Sequence, residues 1–132
     1  PHSFFVADFI GESISLPVTV TNNQAQLSGR KLNSDLPIAQ GRGGHRLVIR
    51  PELLEVTSGP VPKTANDLSG HVHDIIYQGD SVLVIVQHES AGMINVRVPA
   101  NRAGQKGLPS KGERIGLALH PEDTIIVPEY RS

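Results

Sequence analysis

The residues whose types and spacing suggest chemistry are few. His71-Val72-His73-Asp74 sets two imidazoles at i,i+2, on one side of an extended strand, an arrangement that can bind zinc or nickel. Such a site needs further ligands converging from elsewhere, for which His88 and His120 are the candidates. The chain has no cysteine, which excludes thiolate metal sites, disulfides and cysteine nucleophiles, so the pair reads as ordinary exposed strand histidines and no metal site is predicted. Ser, His and Asp are scattered singly, with no G-x-S-x-G elbow and no H-E-x-x-H. A G-x-x-x-x-G-K-[ST] phosphate loop is also missing; Gly104–Gly112 has glycines and lysines but neither the spacing nor a following helix. The chain therefore reads as non-enzymatic, with no catalytic residue, no cofactor and no metal.

Composition sets the frame for these residues. The 132 residues are enough for one domain, and 38% apolar content is enough for a core. With 12 Lys+Arg against 13 Asp+Glu the formal charge is −1, without the basic excess of a general nucleic-acid or acidic-membrane binder. Phe4, Phe5, Phe9, Tyr77 and Tyr130 are too few for base-stacking platforms, so no nucleic-acid partner is expected. The longest apolar run, Val82–Val86, is far short of the roughly 20 residues of a membrane span. The start, Pro1-His2-Ser3, has neither Met nor a leader pattern and reads as part of a longer soluble protein.

Thirteen Gly and ten Pro leave little room for helices. One short helix is predicted over 1–11, with Phe5/Phe9 and Val6/Ile10 as i,i+4 pairs, Ser3 as N-cap and Gly11 as stop. Two turns of helix are unstable alone, so the Phe5/Phe9 face must dock on something. Beyond it lie short strands rich in Val, Ile and Leu: Ile14–Thr21, Gln24–Leu27, Arg46–Arg50, Leu68–Tyr77, Ser81–His88, Met93–Pro99, Glu113–His120 and Thr124–Val127. Ser81–His88 is the most continuously apolar, as expected of a strand covered on both faces. Ser28–Gly44 reads as a long loop, and Thr57–Asp67 as a linker between two halves, 12–57 and 68–132, of one β domain spanning 12–132. Short strands without intervening helices predict a mainly β fold, a small barrel or sandwich.

The halves echo each other. Arg46-Leu-Val-Ile-Arg-Pro51-Glu52 resembles Gly116-Leu-Ala-Leu-His-Pro121-Glu122, the prolines lying 70 residues apart (121 − 51). Each is an apolar strand, a Pro-Glu turn and a second apolar patch ending in Val56 or Val127. Upstream, Leu16-Pro-Val-Thr-Val20 loosely matches Leu68-Ser-Gly-His-Val72. An internal duplication is expected, with the Pro-Glu pairs as structural turns.

The opening, Phe5-Val6-Ala7-Asp8-Phe9-Ile10-Gly11-Glu12-Ser13, resembles the segment that joins the nucleotide-binding domain of bacterial ABC importer ATPases to their C-terminal regulatory domain. The similarity is strongest to the spermidine/putrescine subfamily, where F-V-A-D-F-I-G-E-S/T is followed by N-F-L. The landmarks Arg50-Pro51-Glu52, Tyr77-x-Gly79-Asp80 and Leu119-x-Pro121-Glu122-Asp123 fit the same regulatory domain, known as TOBE, and the resemblance covers essentially the whole chain. It departs at Ile14-Ser15, where the family has Asn-Phe, and at His120, where it commonly has Trp. Leu27-Ser28-Gly29-Arg30 only begins like the Leu-Ser-Gly-Gly-Gln signature of transporter ATPases, lacking the second Gly and the Gln.

The resemblance implies an OB-like or MOP-like β-barrel appended to an ATPase domain in cis, whose ATP and Mg site lies outside this chain. It implies a homodimer paired through the regulatory domain, membrane permease subunits as partners, and a cytoplasmic place at the inner membrane. Phe5, Phe9, Tyr77 and Arg97 are the candidate packing and interface residues. The alternative is a module binding an oxyanion or the transported solute. Molybdate-binding relatives of the fold carry a Ser-Ala-Arg-Asn run near the first strand, which this sequence lacks.

Overall fold

A computed structural model of the chain describes residues 13–57, 59–89, 91–100 and 109–131. The helix expected over 1–11, with Phe5 and Phe9, lies outside the described residues. The strands are β1 (Ile14–Thr21), β2 (Gln24–Leu27), β3 (Arg30–Leu32), β4 (Gly41–Ile49), β5 (Glu55–Thr57), β6 (Asn66–Asp67), β7 (Gly70–Gln78), β8 (Ser81–His88), β9 (Gly92–Pro99), β10 (Arg114–Leu119) and β11 (Ile125–Arg131). Short 3-10 turns at Pro51–Leu53 and Pro121–Asp123 link β4 to β5 and β10 to β11. Proline fits the first position of each because its missing N–H is not needed there. The turns close alike: Leu54 N–H donates to Pro51 O and Thr124 N–H to Pro121 O, both at 3.2 Å.

The strands form two antiparallel sheets, in the orders β11-β4-β1-β2-β3 and β5-β10-β7-β8-β9, with β6 also on β10. The second order repeats the first, strand for strand, except that the outermost strand comes from the other half. β11 pairs with β4 as Ile125↔Val48, Ile126↔Leu47 and Val127↔Arg46. β5 pairs with β10 as Glu55↔Ala118, Val56↔Leu117 and Thr57↔Gly116. Shifted by 70 residues, one register becomes the other pair by pair. The looser upstream echo agrees, since Leu16 pairs with Leu47 and Leu68 N–H donates to Leu117 O. The expected barrel is thus two open sheets, because each half spends its last strand on the other's sheet.

Inward side chains of both sheets meet in one core. Leu16, Val18, Leu27, Leu47 and Ile49 pack with Leu68, Val72, Val84, Val86, Ile94, Val96, Ile115, Leu117 and Leu119. Burying each contributes about 1.5–3 kcal/mol. Two expectations need correction. Ser28–Gly44 contains β3 and the start of β4, its glycines serving Gly41–Gly44 at the sheet edge and Gly29 (φ +81°) in a left-handed hairpin turn beside Ser28 (φ +53°). Thr57–Asp67 ends in β6, whose Asn66 and Asp67 pair with Leu119 and Ala118. Both were too short and polar for a periodic signal.

Gly70 is a point of close backbone approach in the second sheet, where an added Cβ would meet the carbonyl of Gln87 on β8. Gly70→Ala should lower stability by about 1–3 kcal/mol through overpacking against backbone that cannot yield. Chemical denaturation checks this, with Gly59→Ala, where a methyl meets open space, as the near-neutral control.

Candidate functional site

A cleft of about 130 Å3 opens where the β2–β3 turn of one half meets the starts of β7 and β10 and the end of β8. It is lined by Ser28, Arg30, Asp67, Ser69, Gly70, His71, His88, Glu89 and Arg114. Asp67 anchors one wall: Ser69 N–H donates to its Oδ1 at 2.9 Å, and Arg30 Nη1 lies 3.8 Å from Oδ2. Burial pushes its carboxyl up, but the Ser69 hydrogen bonds and the charges of Arg114 and Arg30 win and hold it below the usual range. Burial lowers the His88 imidazole, against an opposing pull from Glu89. Its Nδ1 accepts the Ala91 N–H at 3.1 Å, which puts the proton of the neutral ring on Nε2. The cleft sets two guanidinium groups, Arg30 and Arg114, with hydroxyls and imidazoles against two carboxylates, Asp67 and Glu89.

A second polar cluster is buried, and the sequence gave no sign of it. Asn66 is 4% exposed and Thr124 fully buried. Asn66 Nδ2 donates to Thr124 Oγ1 (2.9 Å) and Asn33 O (2.8 Å), while its Oδ1 accepts from Asn33 N–H (2.8 Å). Thr124 Oγ1 donates to His120 O (2.8 Å), and Ser34 Oγ donates to Thr124 O (2.6 Å). The network ties residues 33–34 to β6 and to the second Pro-Glu turn. In the first half the position matching Thr124 is the buried, apolar Leu54. An Asn in a linker-like stretch carries no pattern that reveals its burial.

The landmark residues occupy three turns. Pro51 is buried, with Arg50 and Glu52 exposed beside it; Pro121, Glu122 and Asp123 form the equivalent turn. Gly79 (φ +71°) and Asp80 make the β7–β8 turn, where Asp80 O accepts the Ala100 N–H at 2.9 Å. Tyr77, just before it, is 76% exposed. Arg97 Nη1 donates to Gln78 Oε1 (2.8 Å) and Ser81 Oγ (3.1 Å). His71 lies at the cleft and His73 falls in a β-bulge between Val72 and Asp74, which breaks the alternation assumed for an i,i+2 pair. His88 is on the buried face of β8 and His120 is at the second turn. Among the described residues no group of three or more His, Asp or Glu is placed to hold a metal ion, and no helix is long and apolar enough to cross a membrane.

With this geometry in place, comparison with known proteins decides the family. The TOBE domain profile matches residues 47–127, more than half the chain. The chain belongs to the TOBE domain family. It is 29% identical over 126 residues to the spermidine/putrescine import ATP-binding protein PotA of Mesorhizobium japonicum, covering 90% of this chain and 33% of that relative. The TOBE chain thus spans about a third of the curated relative it matches. Among solved structures it is similar to the cytoplasmic molybdate-binding protein ModG in a molybdate-bound form, with a TM-score of 0.63, 18% identity, and coverage of 88% of this chain and 95% of that one. That likeness establishes the shared fold.

His120 contributes to the domain's pH response. Its Nε2 lies 2.8 Å from Glu55 Oε1, bridging the second turn to β5 of the other half. The hydrogen bond to Glu55, with Glu122 and Asp123 nearby, raises its pKa. The pair's contribution is therefore full below the unfolded value near 6.5 and is lost as pH rises through the folded pKa. His88, lowered by burial, acts in the opposite sense and costs stability on acidification. Glu55→Gln should return the His120 NMR titration towards 6.5 and remove the pair's share of the stability lost as pH rises above the unfolded value.

Proposed function

We propose that this TOBE domain is the regulatory and subunit-pairing part of the ATP-binding subunit of an ABC importer. Family membership combined with likeness to an importer subunit over 90% of the chain carries the reading. The sequence has no phosphate loop of its own, consistent with an ATPase domain in cis and permease subunits as further partners at the inner membrane. A rigid two-sheet body with polar turns at both ends suits a domain that holds two subunits together while their nucleotide sites open and close. Such a tether makes each closure effectively intramolecular. Deleting the domain from the full-length subunit should make ATPase activity fall on dilution, as the subunits separate between cycles. Activity per subunit that is equally insensitive to dilution with and without the domain overturns the reading.

A second reading, binding of a small anion, is favoured by the cleft that holds Arg30, Arg114, Ser28 and Ser69. The fold neighbour ModG is a molybdate-binding protein. Calorimetric titration with molybdate, sulfate and phosphate tests it. Micromolar binding abolished in an Arg30→Ala/Arg114→Ala variant is the expected result; no heat with any of the three excludes this reading.

A further inference from the structure

The cleft at the crossing of the halves carries charge of both signs. Arg30 enters it from the β2–β3 hairpin, cross-strand from Leu27, and Arg114 from the start of β10, cross-strand from His71. Against these guanidinium groups stand the carboxylates of Asp67 and Glu89. Their formal charges cancel, so a ligand with net charge gains little from the cleft as a whole. A ligand with separated opposite charges gains at both ends.

Asp67 is held in place for one end of such a ligand. Its Oδ1 accepts the Ser69 N–H at 2.9 Å, and Ser69 is itself fixed because its Oγ accepts the Leu117 N–H at 3.1 Å. Oδ2 lies 3.8 Å from Arg30 Nη1, a charge contact longer than a hydrogen bond. That oxygen keeps acceptor capacity for an N–H donor placed beside the guanidinium. A bare oxyanion seated on Arg30 faces the Asp67 carboxylate instead, like charge against like.

Size narrows the choice further. The cleft encloses about 130 Å3. A cavity of about 150 Å3 holds a molecule the size of benzene, so the occupant has roughly six non-hydrogen atoms. His88 and Gly70 are its buried members, and Arg30, Arg114 and Glu89 its exposed ones. A small amino acid has this size and carries its carboxylate and ammonium on one carbon, matching a guanidinium and a carboxylate that lie side by side.

We propose that this cleft is a binding site for a small zwitterion of the α-amino acid class, its carboxylate held by Arg30 and Arg114 and its ammonium by Asp67 and Glu89. The proposal rests on the reading of the arginine side as an anion site and adds the acidic half, which a bare oxyanion leaves unused.

NMR titration of the isotope-labelled 132-residue chain tests it, with the amide signals of Ser69, Gly70 and His71 as the readout. The probes are L-alanine, acetate, methylammonium, sulfate and molybdate. Alanine should bind at least about tenfold more tightly than any of the other four. Arg114→Ala and Glu89→Gln change exposed side chains, and Asp67→Asn keeps an oxygen for the Ser69 N–H; thermal unfolding confirms that all three are folded. Each should weaken alanine binding at least about fivefold, and Arg114→Ala should weaken acetate as well, whereas Glu89→Gln should not. Acetate, sulfate or molybdate binding as tightly as alanine overturns the zwitterion and leaves the small-anion reading in place. Methylammonium binding as tightly as alanine overturns the part given to the arginines, and with it the proposal. Alanine binding that is indifferent to all three variants overturns this site. No shift with any probe overturns both the proposal and the small-anion reading.

Discussion

The fold depends on an exchange of edge strands. β5 leaves the first half to complete the second sheet, and β11 leaves the second half to complete the first. Leu47 and Leu117 sit at the two centres of this exchange, cross-strand from Ile126 and Val56, and both are fully buried. Without β11, β4 would lose its outer ladder and Leu47 its cover; without β5, β10 and Leu117 would be in the same position. Neither half closes its sheet alone, and residues of both contribute to a single core. The two Pro-Glu turns follow from this, since each must send the chain from its own sheet into the other within three residues. Proline presets the backbone for that corner, and the glutamate beside it remains in solvent at little cost.

A duplicated scaffold lets one copy vary while the other maintains the geometry. The equivalent corners show it: Leu54 fills the first with hydrocarbon, whereas Thr124 fills the second with hydroxyl bonds to Asn66 and the His120 carbonyl. Every buried polar side-chain atom among the described residues finds a partner, so the polar corner is not a weak one. What it gains is connection. Residues 33–35, just after β3, are stitched to the second turn through Asn66, Thr124 and the Asp35 N–H bond to Pro121 O. The hairpins vary too, with β7–β8 much longer than β1–β2 and bearing the exposed Tyr77 at its end.

Much of this architecture was legible in the sequence because its signals are local. Strands with clear alternation, such as Ile14–Thr21 and Met93–Pro99, fell within a residue of the observed limits, and the Pro-Glu repeat revealed the duplication. What escaped is what depends on pairing across long separations. Arg30–Leu32 and Asn66–Asp67 are strands because β2 and β10 offer them ladders, not because their residues favour extension. The cleft was invisible for the same reason: Arg30, Asp67, His88 and Arg114 are far apart in sequence, and only the crossing of the halves gathers them. The continuous apolarity of Ser81–His88 suggested a strand covered on both faces, whereas only the Val82, Val84 and Val86 face is buried. Among the described residues Leu83 and Ile85 on the opposite face remain partly exposed.

The exchange of strands also bears on how a domain of this kind could regulate. A contact strong enough to hold two free domains together permanently would resist the rearrangements of an enzyme cycle, whereas a weak one can be made and broken. Tethering removes the disadvantage of weakness, because a second contact between subunits already joined elsewhere operates at an effective concentration in the millimolar range. The rigidity of the exchanged strands matters here as well. A face displayed on a core whose two halves complete each other cannot tilt independently of the rest.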